Sequence, residues 1–268
     1  MILSDQYQVL EDNEEESSGE GKLRSSRKYN LFKILMLYIV IGFSGWIVFS
    51  FMFTSSWFDV SRITFRGNYY LSKDAILEQA EIKGSHNIFH FDIKGTREKI
   101  LKNPWVQEAV LKKVLPNHLD INIKERKPGA LIYAHNRYYL VTEEGIILER
   151  FEQLNTDFRQ YLITGLDVGN RRPGEVIDNR EYLEIQRIIY GLDNLFPGQF
   201  YKIQIISKDE FLIFHSNNKI KVRIENGEQL INEWYLLESA LQKVNQEEIP
   251  LQEINMKYKE RLLLILKE

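Results

Sequence analysis

The rhythm of apolar and polar positions changes several times along this chain, and each change marks an element. Ile34 to Phe53 holds no charge at all, reading ILMLYIVIGFSGWIVFSFMF. As a helix, twenty such residues rise about 30 Å, the thickness of a bilayer's hydrocarbon core. Beyond it, Ile63 and Phe65 alternate with polar neighbours, and Arg66-Gly67-Asn68 closes a short strand. Ser72 stands at a helix N-cap position with Asp74 in the first turn, and Ile76, Leu77 and Ala80 share one face. After a loop at Gly84, a second helix is predicted from Thr96 to Lys102, stopped by Asn103-Pro104. Ala109, Leu111 and Leu115, the turn Pro116-Asn117-His118, and then Leu119, Ile121 and Ile123 give period-two alternation on a hairpin. A small sheet covered on one face by two helices buries all these apolar sets together.

The second half is richer in strands. Leu131-Ile132-Tyr133 and Tyr138-Tyr139-Leu140-Val141 flank a turn at His135-Asn136, and Glu144-Gly145 separates them from Ile146-Ile147-Leu148, a meander. Gly165 and Pro173-Gly174 mark further turns. Tyr182, Ile185, Ile189 and Leu192 form one stripe of a helix over 181–195, ended by Phe196-Pro197-Gly198. Strands are predicted at 201–206, 211–214 and 219–224. Leu230, Trp234, Leu237, Leu241 and Val244 then make one helix face over 228–246.

The C-terminal strand departs from the pattern of its neighbours. Ile254, Met256 and Tyr258 alternate with polar residues, but Leu262, Leu263, Leu264, Ile265 and Leu266 are apolar on both faces. A strand with one solvated face does not look like this. Either the helix over 228–246 covers the second face, or something outside the chain does.

Charge sharpens the N-terminal reading. Asp5 to Glu20 carries seven acids and no base, and Lys22 to Lys33 carries five bases and no acid. The remainder is nearly balanced, with 31 acids and 30 bases left from totals of 38 and 35. A balanced folded part argues against nucleic-acid binding, which needs a concentrated basic face. Because the basic residues precede the apolar run, the positive-inside tendency places the N-terminus in the cytoplasm and residues 57–268 outside. Aromatic residues gather toward the far end of the run, Trp46 and Trp57 among them, where amphipathic rings favour the interface. The run is longer than a typical signal-peptide core and no A-x-A site follows, so it reads as a retained anchor. The acidic tail has no apolar periodicity and is expected to be disordered.

Candidate chemistry is sparse. There is no cysteine, hence no disulfide, thiolate metal site or cysteine nucleophile. Phosphate-loop, dinucleotide and metalloprotease signatures are absent, and Gly42-Phe43-Ser44-Gly45 lies inside the apolar run. His86 and His90 are four apart, a metal-clamping spacing on a helix. The intervening Asn87-Ile88-Phe89 reads as extended, which spreads them apart. No cofactor or metal is expected.

The stretches ITFRGNYYLSKDAIL, NIFHFDI and NPWVQEAVLKKVLPNHLDINIKERKP resemble a POTRA domain of the FtsQ/DivIB family of cell-division proteins. The most specific part is Pro104-Trp105-Val106, then Pro116, then Leu119, Ile121, Ile123, Glu125 and Arg126. YYLVTEEGIIL resembles the strand–turn–strand that follows in that family. The resemblance implies an α+β fold: one N-terminal transmembrane helix, a β-α-α-β-β POTRA domain, and a mixed antiparallel-sheet domain with helices packed on it. The corresponding boundaries are a tail at 1–30, the helix at 31–56, the POTRA domain at 57–127 and the C-terminal β domain at 128–268. It also implies a divisome scaffold rather than an enzyme, in a single-pass type II orientation at the septum. Its partners would be FtsL and FtsB/DivIC-type proteins and, indirectly, septal peptidoglycan synthases. In that family a partner segment docks beside the last strands, partly by adding a strand. The matching positions here are Met256, Tyr258, Leu262, Leu263, Leu264, Ile265 and Leu266. A membrane-anchored cell-wall enzyme, or a secretion-related POTRA adaptor, is the rival reading, and it would require a concave site with convergent polar groups.

Overall fold

The computed structural model of the protein describes residues 5–82, 86–154, 160–216, 219–247, 249–258 and 260–267, with side chains from residue 30 onward. A single helix, α1 (Asp5–Thr54), opens the chain. Within it, residues 30–54 are long and apolar enough to cross a membrane, with a mean hydropathy of 2.2 and no buried side chain. The expected disordered tail at 1–30 falls almost wholly on residues whose side chains lie outside the described set; the backbone from Asp5 is part of α1.

Next come β1 (Arg62–Arg66), α2 (Lys73–Gln79), α3 (Ile93–Leu101), β2 (Val106–Val114) and β3 (His118–Glu125). The three strands make a sheet in the order β1-β3-β2. Ser72 caps α2 as its sequence position predicts, its hydroxyl accepting the Ala75 N–H. Helix α3 starts three residues earlier than its apolar pattern suggested. Asp92 caps it by accepting the Gly95 N–H at 3.0 Å, a cap hidden behind Phe91 in the sequence. The alternation on β3 is realised: Leu119, Ile121 and Ile123 are buried while Asn122 and Lys124 are exposed.

The remaining strands are β4 (Ala130–Ala134), β5 (Arg137–Val141), β6 (Ile147–Phe151), β7 (Tyr161–Thr164), β8 (Phe200–Ser207), β9 (Glu210–His215), β10 (Lys221–Ile224), β11 (Leu251–Tyr258) and β12 (Arg261–Leu266). Helix α4 (Arg180–Leu195) lies between β7 and β8, and α5 (Gly227–Asn232) and α6 (Trp234–Glu247) between β10 and β11. The nine strands form one mixed sheet in the order β12-β11-β10-β9-β8-β7-β4-β5-β6. The β4–β5 turn has both His135 (φ 49°) and Asn136 (φ 58°) left-handed, which matches the twist of a two-residue hairpin.

One face of this sheet makes the main core. Ile132, Ile163, Ile203, Ile213, Val222 and Ile254 pack there against Tyr182, Ile185 and Leu192 of α4, Leu230 of α5, and Leu237 and Leu241 of α6. The predicted helix over 228–246 is broken at Glu233, which has non-helical backbone angles (φ −112°, ψ 17°). The break lies four residues past Gln229, whose amide donates to the Met256 carbonyl. It also changes the phase of the stripe: Leu230, Leu237, Leu241 and Val244 are buried, but Trp234 is 37% exposed.

By contacts the chain divides into two compact units: residues 1–63, 84–91 and 113–119, and residues 64–83, 92–112 and 120–268. In the second unit, the sheet face opposite the helices is covered over β4, β5 and β6. There Trp105 packs on Leu131, Leu140 and Leu148, with Leu71 and Leu162 beside them.

Candidate partner-docking edge

Among the described residues, strand β12 pairs on one side only, antiparallel to β11, with Ile254 opposite Leu264 and Asn255 opposite Leu263. Its other side is an edge of the sheet. An edge offers a row of unpaired backbone N–H and C=O groups, a template for one more strand. Alternation puts Leu262, Leu264 and Leu266 on the helix-covered face, while Leu263 and Ile265 face the opposite way. Leu262 alone packs partly on the core. Leu263 is 48% exposed, Leu264 39%, Ile265 38% and Leu266 54%. The chain's own helix therefore leaves β12 largely exposed on both faces. Met256 and Tyr258, one strand inward, differ from this group: Met256 is wholly buried in the main core, out of a partner's reach, whereas Tyr258 is exposed.

The face carrying Leu263 and Ile265 continues into a charged network. The Arg223 guanidinium meets Glu253 through two nitrogens, at 2.5 and 3.1 Å, and also donates to Glu210. Lys257 reaches the second Glu210 oxygen at 3.5 Å. Arg223, and Lys257 to a lesser degree, hold the Glu210 carboxyl below its usual pKa range, and the two carboxylates raise that of Arg223. With Tyr258 and Ile265, these groups line an open concavity of about 530 Å³. A strand added to β12 would meet leucines on one face and, on the other, an apolar pair beside this fixed array of charge.

A larger cleft, about 810 Å³, is lined by Tyr69, Tyr70, Lys124, Glu125, Arg126 and Glu144 among others. Two of its polar groups, Glu125 and Arg126, fasten backbone. The two Glu125 oxygens accept the N–H groups of Tyr69, Tyr70 and Leu71 at 2.7 to 2.8 Å. Arg126 donates to the carbonyls of Pro104 and Val106. Gly67 (φ 77°) permits the close approach, because a Cβ there would lie 2.0 Å from the Ile123 carbonyl oxygen. The Thr142 hydroxyl beside Glu144 is the main reason its carboxyl is held low, so it is poised as an anion and not as a proton donor. His86 and His90 sit at a turn, not on a helix. No group of three potential metal ligands gathers among the described residues.

Residues 58–126 match the family profile described as "POTRA domain, FtsQ-type". This stretch is therefore similar to POTRA domains of the FtsQ type. Its distinguishing residues have structural work: Glu125 and Arg126 staple the β1–α2 loop and the start of β2, and Trp105 covers the second face of the large sheet. About half of the chain is similar to proteins named DivIB and FtsQ, as the sequence resemblance implied. It is 31% identical over 135 residues to the cell division protein DivIB of Clostridium botulinum (strain Hall), covering 50% of each chain. It is 25% identical over 146 residues to DivIB of Clostridium tetani, covering 54% of this chain and 52% of that one. It is 31% identical over 159 residues to the cell division protein FtsQ of Syntrophotalea carbinolica, covering 59% and 54%. The chain thus spans about half the length of the curated relatives it matches. The mixed α+β fold, with an apolar N-terminal helix, the POTRA domain and a large sheet, agrees with the architecture expected from the sequence.

Proposed function

We propose that this protein is a membrane-anchored cell-division scaffold that works by holding partners and makes no bonds itself. The observation that carries the reading is β12, whose run at 262–266 is uncharged and apolar, at a sheet edge and largely exposed on both faces. Such an edge recruits an extended segment by backbone pairing and selects it by its side-chain pockets. The partners are FtsL and FtsB/DivIC-type proteins, and the docking residues are Leu262, Leu263, Leu264, Ile265 and Leu266, with Tyr258 at the margin. The relatives' shared name supports a role in division. The apolar helix at 31–56 anchors the chain with its N-terminus in the cytoplasm. The POTRA domain at 57–127 and the β domain at 128–268 lie outside, at the septum. Through its partners the complex controls septal peptidoglycan synthases. The larger cleft supports the non-enzymatic reading, since Glu125 and Arg126 in it fasten backbone instead of converging on a substrate.

The direct test is Leu264→Asp in the full chain, with co-purification of an FtsB/DivIC-type partner as readout. The variant is expected to lose the partner while keeping its thermal unfolding. Undiminished capture removes β12 as the docking strand. Depletion tests the broader role: cells that divide normally without the protein under heat or wall stress refute a division function.

A further inference from the structure

The compact unit containing the apolar helix includes two segments distant in sequence, 84–91 and 113–119. Its contacts have a consequence for depth. Lys33 is the last charge before the apolar run and Phe53 its last residue. If the run spans the roughly 30 Å hydrocarbon core, Phe53 lies at the outer boundary of that core. The Phe53 ring lies tilted against Phe89 and His90, with centroids 5.3 and 5.1 Å away, and Phe89 lies tilted against Phe58 at 5.2 Å. The Asn87 amide donates to the Met52 carbonyl at 3.0 Å, an acceptor in the last turn of the helix, and to the Ser55 carbonyl just past it at 3.5 Å. Lys113 donates to the Phe89 carbonyl at 3.3 Å. Trp57, in a single 3-10 turn just past the helix, is 65% exposed.

We propose that Trp57, His86, Phe89 and His90 form an interfacial seat, held by the buried Ile88 and Phe91, which embeds in the outer phospholipid headgroup layer around the end of α1. The inference rests on the membrane-spanning reading of α1 and adds a second, sequence-distant contact with the same bilayer. Three features fit a headgroup layer. Aromatic rings with a polar tip or edge favour that depth. Asn87 closes backbone carbonyls at the depth where water thins out. Described residues 55–63, 86–91 and 113–119 carry Arg62 and Lys113 against a single acid, Asp59, a balance suited to phosphate. The clamp holds the first folded segment at the bilayer surface and leaves it no free linker.

The chain lacks cysteine, so one introduced cysteine is a unique label site. We would label His90→Cys, Trp57→Cys and, as a reference within the span, Ser44→Cys, with an environment-sensitive fluorophore. Each full-length variant would be reconstituted in phosphatidylcholine–phosphatidylglycerol vesicles. Labels at 90 and 57 are expected to be quenched most by nitroxide near the lipid headgroup and least by nitroxide deep in the chain. Their accessibility to an aqueous quencher should fall several-fold below that of free label. Adding Phe89→Asp should return the label at 90 to water. If 44 is shielded but 90 and 57 are fully water-accessible, the seat is refuted and the membrane span stands. If 44 is itself water-accessible, the span fails and the seat with it. Shielding of 90 and 57 without lipid-nitroxide quenching assigns the face to protein contact and overturns the lipid proposal.

Discussion

The large sheet ends in two edges that the protein treats in opposite ways. At β6 the outer side is covered where the strand begins. The Ile147 N–H donates to the Glu175 carbonyl at 3.0 Å, and the Gly174 N–H donates to the Ile147 carbonyl at 2.8 Å. Beyond that cover β6 carries Glu149 and Arg150, both exposed. Its second face lies under Trp105. At β12 the edge runs through five consecutive apolar residues, and its faces stay open. Exposed hydrophobic edges invite association, and proteins ordinarily blunt them with charge or with a covering loop. Here β6 is blunted in both ways, whereas at β12 the apolar run is bracketed only by Arg261, the strand's first residue, and Lys267 just beyond it. The difference separates an edge built for stability from one left available.

The comparison breaks most sharply at Trp105. Trp105→Ala empties the cluster over β4–β6 and is expected to cost about 3–5 kcal/mol in denaturant unfolding. Leu263→Ala on β12 should cost no more than about 0.5 kcal/mol, since it removes an exposed side chain. Equal costs would mean that β12 is as structural as β6. Next in size is Gly174→Pro, which deletes the N–H that covers Ile147 at a residue with φ of 94°, a conformation proline cannot adopt. It is expected to destabilise by more than about 1 kcal/mol, with faster amide exchange along β6 and none of that acceleration at β12.

Two smaller effects concern pH. Glu210 is held below its ordinary carboxylate pKa mainly by Arg223. Its stabilising contribution is complete above the ordinary range near 4.5 and fades as pH falls through the depressed folded value. Arg223→Met should flatten that acid loss, as followed by unfolding midpoints across pH 3 to 6. His215 is 5% exposed against the Phe200 ring, and burial lowers its pKa below 6.5. The unfolded chain takes up the proton first, so stability falls as pH drops below 6.5 and the loss levels off below the folded value. His215→Leu should remove this part of the slope, an effect smaller than that of Arg223→Met.

Much of the fold was legible because burial imposes periodicity. The alternation on β3, the stripe on α4 and the turn at His135-Asn136 each appear where the residues placed them. The misreadings came at helix ends. Asp92 starts α3 early by capping it, and α5 ends at Glu233, a stop that the apolar stripe runs straight through. For the candidate site, the apolar run at 262–266 was visible, but Met256 was grouped with it because alternation alone does not say which strand lies outside.

The residues alone determine the membrane-length run, the POTRA order and the faces of nearly every strand, all of which depend on local spacing and solvation. Only the tertiary structure decided that 262–266 is an edge. The parallel pairing of β10 with β11, Val222 opposite Ile254, carries β11 into the sheet interior and leaves β12 with a single neighbour. Strand neighbours are chosen by non-local pairing across α5 and α6, and a period of two specifies faces without naming the neighbour.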